Sequence, residues 1–242
     1  MVFNIKQSYS TIIVYKVSII NDFINLCYPK LCAACHNTLG KNEASICTAC
    51  IIHLPKTNYH LDIENPLNKI FWGRVPIEMV AAYYFFNKGN KVQKLLHELK
   101  YKGNKSVGEK IGVLYGYELL NSSHFSTIDF IMPVPLHPKK LKKRGYNQSE
   151  WFANGLGQSM NIPVSTTILY RNTDSATQTK KSRFNRWENV AEIFGINNPE
   201  LIANKTILLV DDVITTGATI EACAKKLINH NAKLLVVTIA CA

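Results

Sequence analysis

Residues 207–219 read Ile-Leu-Leu-Val-Asp-Asp-Val-Ile-Thr-Thr-Gly-Ala-Thr, an apolar run that ends in two carboxylates and a small hydroxylated loop. Asp211 and Asp212 can accept hydrogen bonds from neighbouring hydroxyls of a sugar. Thr215, Thr216, Gly217, Ala218 and Thr219 can hold a phosphate dianion. Backbone N–H groups at a helix start, the positive end of its dipole and threonine hydroxyls all favour that charge, and glycine lets the chain come close. Together the two parts suit a sugar phosphate. The plainer alternative is a strand ending in an acidic turn with a threonine N-cap. No Gly-x-x-x-x-Gly-Lys-Ser/Thr occurs, so a nucleoside-triphosphate P-loop is not the reading.

The second chemical signal is a pair of Cys-x-x-Cys knuckles, Cys32/Cys35 and Cys47/Cys50. Each can offer two thiolates to one tetrahedral ion, and zinc is the expected metal. Four protein thiolates leave no open position, so the ion would be structural. Gly40-Lys41-Asn42 supplies a turn between the knuckles. Disulfides compete with this reading, but the chain is expected to be cytoplasmic, where thiols stay reduced. Cys27, Cys223 and Cys241 read as packed side chains.

Two further stretches carry charge or mobility. Lys139 to Arg144, after Met132-Pro133-Val134-Pro135-Leu136-His137-Pro138, is cationic at five of six positions and reads as a loop at a strand's end. It is either a solvated charge run or an anion site. Asn172 to Asn185 is polar and rich in threonine and lysine, which predicts a mobile loop; Gln178, Arg183, Arg186, Asn189, Val190 and Phe194 lie in or beyond it. Arg183 and Arg186 are spaced to face one side of a helical turn and reach a phosphate.

The elements that must position these groups alternate strand and helix from Met79 onward. Strands are expected at Val80 to Phe86, Phe130 to Val134, Val164 to Tyr170, from Ile207, and over 233–240. Helices are expected through Val92 to Leu99, over 107–120, over Glu150 to Met160 and over 217–230. This alternation predicts an α/β fold, a parallel sheet flanked by helices, with ligands at the carboxyl ends of its strands. The expected organisation is an N-terminal packing helix in 1–28, a zinc ribbon in 29–55, a connector in 56–78 and the α/β domain in 79–242.

At 242 residues and 47% hydrophobic composition, the chain can bury one sizeable core and a small appendage. Its net charge of +11 predicts an anionic partner. Lys16, Asn21 and Asp22 interrupt the N-terminal apolar segment, so no stretch reaches the ~18 apolar residues of a membrane span. No small-residue cleavage site follows it, and a cytoplasmic location is expected.

Residues 207–219 resemble the motif with which type I phosphoribosyltransferases bind 5-phosphoribosyl 1-diphosphate (PRPP). Four other features fall in order: the four-cysteine knuckle, Leu99-Lys100-Tyr101-Lys102-Gly103, Pro-Val-Pro-Leu with Arg-Gly-Tyr-Asn-Gln, and Gln178 to Phe194. With them, nearly the whole chain resembles the ComF family. The resemblance implies a type I phosphoribosyltransferase fold behind an N-terminal zinc ribbon. It implies that Asp211 and Asp212 hold the 2′ and 3′ hydroxyls of ribose, and that Thr215 to Thr219 hold the 5′-phosphate. It further implies that the loop containing Val134, Pro135 and Leu136 holds diphosphate, that Arg183 belongs to a closing hood, and that magnesium accompanies PRPP. The implied activity is phosphoribosyl transfer to an unidentified acceptor, in a protein of DNA uptake and competence. Single-stranded DNA and proteins of the competence machinery are then candidate partners. An alternative of a different class is a nucleic-acid-binding accessory that keeps the fold as a sensor or scaffold, using the basic run with Tyr59 and Trp72.

Overall fold

The computed structural model describes residues 28–172 and 193–242. The expected N-terminal packing helix, Cys27, and Gln178, Arg183, Arg186, Asn189 and Val190 lie outside the described residues. The described residues fall into two compact units, divided between Ile52 and His53.

The described part of the first unit is a small cysteine ribbon. An antiparallel bridge joins Leu31 to Thr38. Between them the chain turns tightly, with Cys32 N–H donating to Asn37 O at 2.8 Å and His36, at φ 62°, donating back to Cys32 O. Glu43 closes the second turn by accepting from Gly40 N–H at 2.8 Å and Thr48 N–H at 2.6 Å. The latter caps the short helix α1, Thr48–His53. With so few apolar side chains, Cys32, Ala34, Ile46 and Cys50 make up most of what is buried here.

The second unit contains a four-stranded, wholly parallel sheet in the order β1-β6-β5-β2. Its strands are β1 (Met79–Phe85), β2 (Phe130–Pro133), β5 (Thr206–Ile214) and β6 (Lys233–Cys241). Both faces are covered, so the strands read as continuous apolar runs. One face carries Val80, Ala82, Met132, Ile207, Leu209, Leu234 and Val236. It packs on α7 (Ala218–Ile228) through Ile220, Cys223, Ala224 and Leu227. Helices α3 (Lys91–Tyr101), α4 (Lys105–Leu119) and α6 (Gln148–Met160) bury their own apolar sides, and α6 packs on β2 and β5. Gly112 and Gly155 sit where α4 crosses α6. A Cβ on Gly112 would strike Phe152 O, and one on Gly155 would strike Glu109 O.

Residues 56–78, expected as a connector, carry structure of their own. Pro66 opens a short helix, α2 (Pro66–Lys69), where its missing N–H costs nothing. Asn65 caps that helix and also donates to Val80 O at 3.0 Å, tying it to β1. Leu67, Phe71 and Val75 then join α7 on the same sheet face.

Two expectations for the sheet region are corrected. Val164 to Tyr170 does not add a strand to the parallel sheet: Val164 makes a single parallel bridge to Ile131, and β3 (Leu169–Arg171) pairs antiparallel with β4 (Phe194–Ile196) in a separate ribbon. A short apolar run does not specify its partner, and that choice was made by tertiary pairing. The basic run is not a loop but a helix, α5 (Pro138–Arg144). Proline stands at its first turn, His137 Nδ1 accepts from Lys139 N–H, and Gly145 ends it at φ 77°. Its last-turn cations complement the helix dipole.

A candidate sugar-phosphate site and a four-thiol centre

The apolar run of β5 carries Asp211 and Asp212 to the carboxyl end of the sheet, and the chain then turns through Thr215 and Thr216 into α7. Gly217 is the N-cap at φ 75°, a left-handed conformation that suits glycine. No side chain caps the helix. Thr215, Thr216, Ala218 and Thr219 are exposed, and with Asp211 and Val213 to Ile220 they line a small open cleft. The loop is held from behind by the segment after α2. The Phe71 ring lies against Gly217, where an added Cβ would come within 2.6 Å of it. Arg74 donates to Thr216 O at 3.3 Å and pairs with Glu221 in the first turn of α7.

The two carboxylates are held differently. Asp211 Oδ1 accepts from Ser149 Oγ at 2.9 Å and from Asp212 N–H at 2.8 Å. Desolvation pushes the Asp211 carboxyl up to about 7, the Asp212 charge adds to that, and the Asp212 amide, Ser149 and Lys100 oppose it. Asp212 Oδ2 lies 3.1 Å from Lys100 Nζ, at the end of α3. Arg171, at the end of β3, feels the field of Asp211 and Cys223, while desolvation holds its guanidinium below the usual value.

The Arg144-Gly-Tyr-Asn-Gln-Ser149 segment ties these parts together. Tyr146 Oη donates to Leu99 O, fixing the end of α3. Asn147 Nδ2 donates to Val134 O at 2.9 Å, which pins the loop after β2, and Asn147 Oδ1 caps α6. Arg144 donates to Gln148 Oε1 at 2.5 Å and lies 5.3 Å over the Tyr101 ring. Val134 is buried, while Pro135, Leu136 and His137 are half-buried. Because Pro133 pairs with Val210, the start of this loop lies beside the Asp211-Asp212 end of β5.

The structure therefore brings Asp211, Asp212, Thr215 to Thr219 and the Val134 loop to one end of the sheet; Arg183 lies outside the described residues. Sequence reasoning missed Ser149, Lys100, Arg171, Phe71 and Arg74. Ser149 stood one residue beyond a quoted motif and Lys100 inside another. Arg171, Phe71 and Arg74 carried no spacing signal.

In the first unit, the Sγ atoms of Cys32, Cys35, Cys47 and Cys50 all lie within 4.8 Å of one another. This soft set of four thiol donors fits zinc, which takes four such ligands. Burial opposes the Cys32 thiolate, but amides of Cys47, Cys35 and Ala34 bring its pKa down to about 7. Burial and the neighbouring thiols push Cys50 up to about 12. One thiolate forms readily and the last does not, so full ionisation calls for a divalent cation among them.

A parallel sheet with two carboxylates and an open threonine loop at one strand end agrees with the sequence comparison: the phosphoribosyl transferase domain model matches residues 142–242. The second unit is thus a phosphoribosyltransferase-type domain. Over longer spans the chain is similar to the DNA utilization protein YhgH of Escherichia coli K12, 26% identical over 89% of this chain and 98% of the relative. It is 24% identical to the competence protein ComFC of Bacillus subtilis 168, over 82% of this chain and 78% of that one. It is 34% identical to the competence protein F of Haemophilus influenzae Rd, over 40% and 43%. These similarities to competence and DNA utilization proteins agree with the resemblance to the ComF family. No helix among the described residues is long and apolar enough to cross a membrane.

Proposed function

We propose that the second unit binds PRPP with magnesium and transfers its phosphoribosyl group to an acceptor, releasing diphosphate. The observation that carries this reading is the convergence, at one end of β5, of the Asp211-Asp212 pair, the uncapped Thr215 to Thr219 loop and the Val134 loop. Asp211 and Asp212 would take the ribose hydroxyls, Thr215 to Thr219 the 5′-phosphate, and Val134, Pro135 and Leu136 the diphosphate. Departure of diphosphate leaves positive character at ribose C1, so the chain's contribution is orientation and charge placement. Magnesium is a hard ion that would be held mainly by ligand oxygens and water beside the carboxylates, and it would offset diphosphate charge. The names of two relatives, a DNA utilization protein and a competence protein, support a role in DNA uptake for such an enzyme, and a cytoplasmic location is part of this proposal.

Titration calorimetry with PRPP and magnesium tests this reading on the parent and on the Asp211→Asn, Asp212→Asn double variant. Binding by the parent and loss of at least about tenfold in the variant, with melting preserved, is the expected result. A folded parent that binds no PRPP would end the proposal.

A second reading, binding of single-stranded nucleic acid, is favoured by one surface. Lys105 Nζ lies 5.1 Å from the ring centroid of half-buried Trp151. Arg144 covers exposed Tyr101, and Lys139, Lys140, Lys142 and Lys143 are exposed on α5. These aromatics, and not Tyr59, which packs edge-on against Phe85 at 5.5 Å, adjoin the basic helix. Cations interleaved with rings suit a phosphate backbone with stacked bases. Affinity for an unstructured oligonucleotide is expected to fall steeply with salt. Absence of binding at low salt would remove this reading.

A further inference from the structure

Lys100 is the cation that, among the described residues, is in ion-pair contact with the acidic pair. Its side chain is only 21% exposed. Its backbone is clamped on both sides: Leu99 is buried and its carbonyl accepts from Tyr146 Oη, and the Tyr101 ring lies under the Arg144 guanidinium. The backbone is thereby fixed while the ammonium stays free to move on its flexible four-carbon chain.

Two features point beyond simple pairing with Asp212. The first is position. Tyr146 fixes the end of α3, and the adjacent Asn147 fixes Val134, so one dipeptide aligns Lys100 with the loop after β2. Neighbouring strands lie about 4.8 Å apart. With Pro133 opposite Val210, the Val134–Pro135 backbone therefore runs about one strand spacing from Asp211 and Asp212. An ammonium 3.1 Å from Asp212 needs only a change of rotamer to face an anion seated on that loop. The second is charge. Two carboxylates at the mouth of an anion site repel the ligand they are meant to orient. Sugar hydroxyls would satisfy the Asp212 oxygens with neutral hydrogen bonds, leaving a half-buried ammonium beside a multiply charged diphosphate. That attraction exceeds its attraction to a single carboxylate.

We propose that Lys100 is a substrate-binding residue that pairs with Asp212 in the empty site and contacts the diphosphate arm of PRPP in the filled one. This inference rests on the PRPP reading above. Lys100 thus distinguishes a 1-diphosphorylated ribose 5-phosphate from ribose 5-phosphate itself. A lysine whose whole task is to orient Asp212 would support both ligands alike.

The test compares PRPP and ribose 5-phosphate, each with magnesium, on the parent, Lys100→Gln and Lys100→Arg, with melting curves to verify folding. Lys100→Gln is expected to weaken PRPP by about ten- to a hundredfold, the loss of one charge-assisted contact, and ribose 5-phosphate by less than about threefold. Lys100→Arg keeps the charge and is expected to stay within about tenfold of the parent for PRPP, which guards against misfolding of the neutral variant. Equal weakening of both ligands would overturn the proposal in favour of a role through Asp212 alone, and unchanged PRPP affinity would also overturn it. A parent that binds ribose 5-phosphate but not PRPP defeats the diphosphate assignment only, whereas one that binds neither takes the underlying reading down with it.

Discussion

Burial pushes the Asp211 carboxyl up to about 7, and on the PRPP reading that shift couples stability to ligand binding. Its folded pKa, about 7, stands above the ordinary carboxylate value, so the folded chain holds this proton more tightly than the unfolded one. The associated stability is complete below the ordinary carboxylate value and is lost as pH rises through about 7. Ribose hydroxyls donate best to the ionised form, so PRPP affinity is expected to rise over the same window as stability falls. Calorimetry from about pH 5 to 9 would read this directly. Because the Ser149 hydrogen bond lowers the Asp211 pKa, Ser149→Ala is expected to move the binding midpoint upward. It should also weaken PRPP by about fivefold near neutrality. An unmoved midpoint would refute the role given to Ser149. At this scale the acidic pair and the threonine loop were legible because their chemistry is local, compressed into thirteen consecutive residues. Ser149 and Lys100 were not, since each meets its carboxylate from a distant helix: Ser149 is 62 positions from Asp211. No short-range pattern encodes such a pairing.

Among the elements, the packing of α4 on α6 is the most sequence-sensitive. Helix propensity alone predicts that Gly112→Ala or Gly155→Ala would stabilise a helix interior by about 1 kcal/mol. The close approach of the two backbones predicts the opposite sign, because each new methyl group meets a main-chain carbonyl of the other helix. Either substitution is expected to cost about 1–3 kcal/mol, seen as a drop of several degrees in melting temperature. A rise in melting temperature would show that the helices separate without penalty. The long helices and the strands at Met79, Phe130, Thr206 and Lys233 were readable from periodicity, with boundaries displaced by a residue or two. What periodicity hid was α5, whose six residues from Lys139 to Arg144 hold one apolar side chain, exposed Leu141. Such a helix is held by its proline start, glycine stop and dipole-matched charges. The role of residues 66–75 was hidden too: Leu67, Phe71 and Val75 are too widely spaced to announce a buried face.

For the molecule as a whole, the ribbon is expected to contribute a metal-binding equilibrium and little core. With four thiols within 4.8 Å of one another and one of them pushed up to about 12, its order is expected to depend on metal. Purified protein should carry one zinc per chain by elemental analysis, and Cys50→Ser should weaken retention against a chelator. Retention equal to the parent would argue against a four-thiolate site. Cysteine spacing made this unit legible, because metal geometry admits few sequence solutions.

The order β1-β6-β5-β2 places the last-made strand, Lys233–Cys241, between β1 and β5. During synthesis, β1 has no partner strand of the parallel sheet until about 150 further residues have been joined. The sheet therefore cannot close progressively from the amino end. Nascent chains paused before residue 233 would present two unpaired strand edges, and on this ground they are natural clients for holdase chaperones.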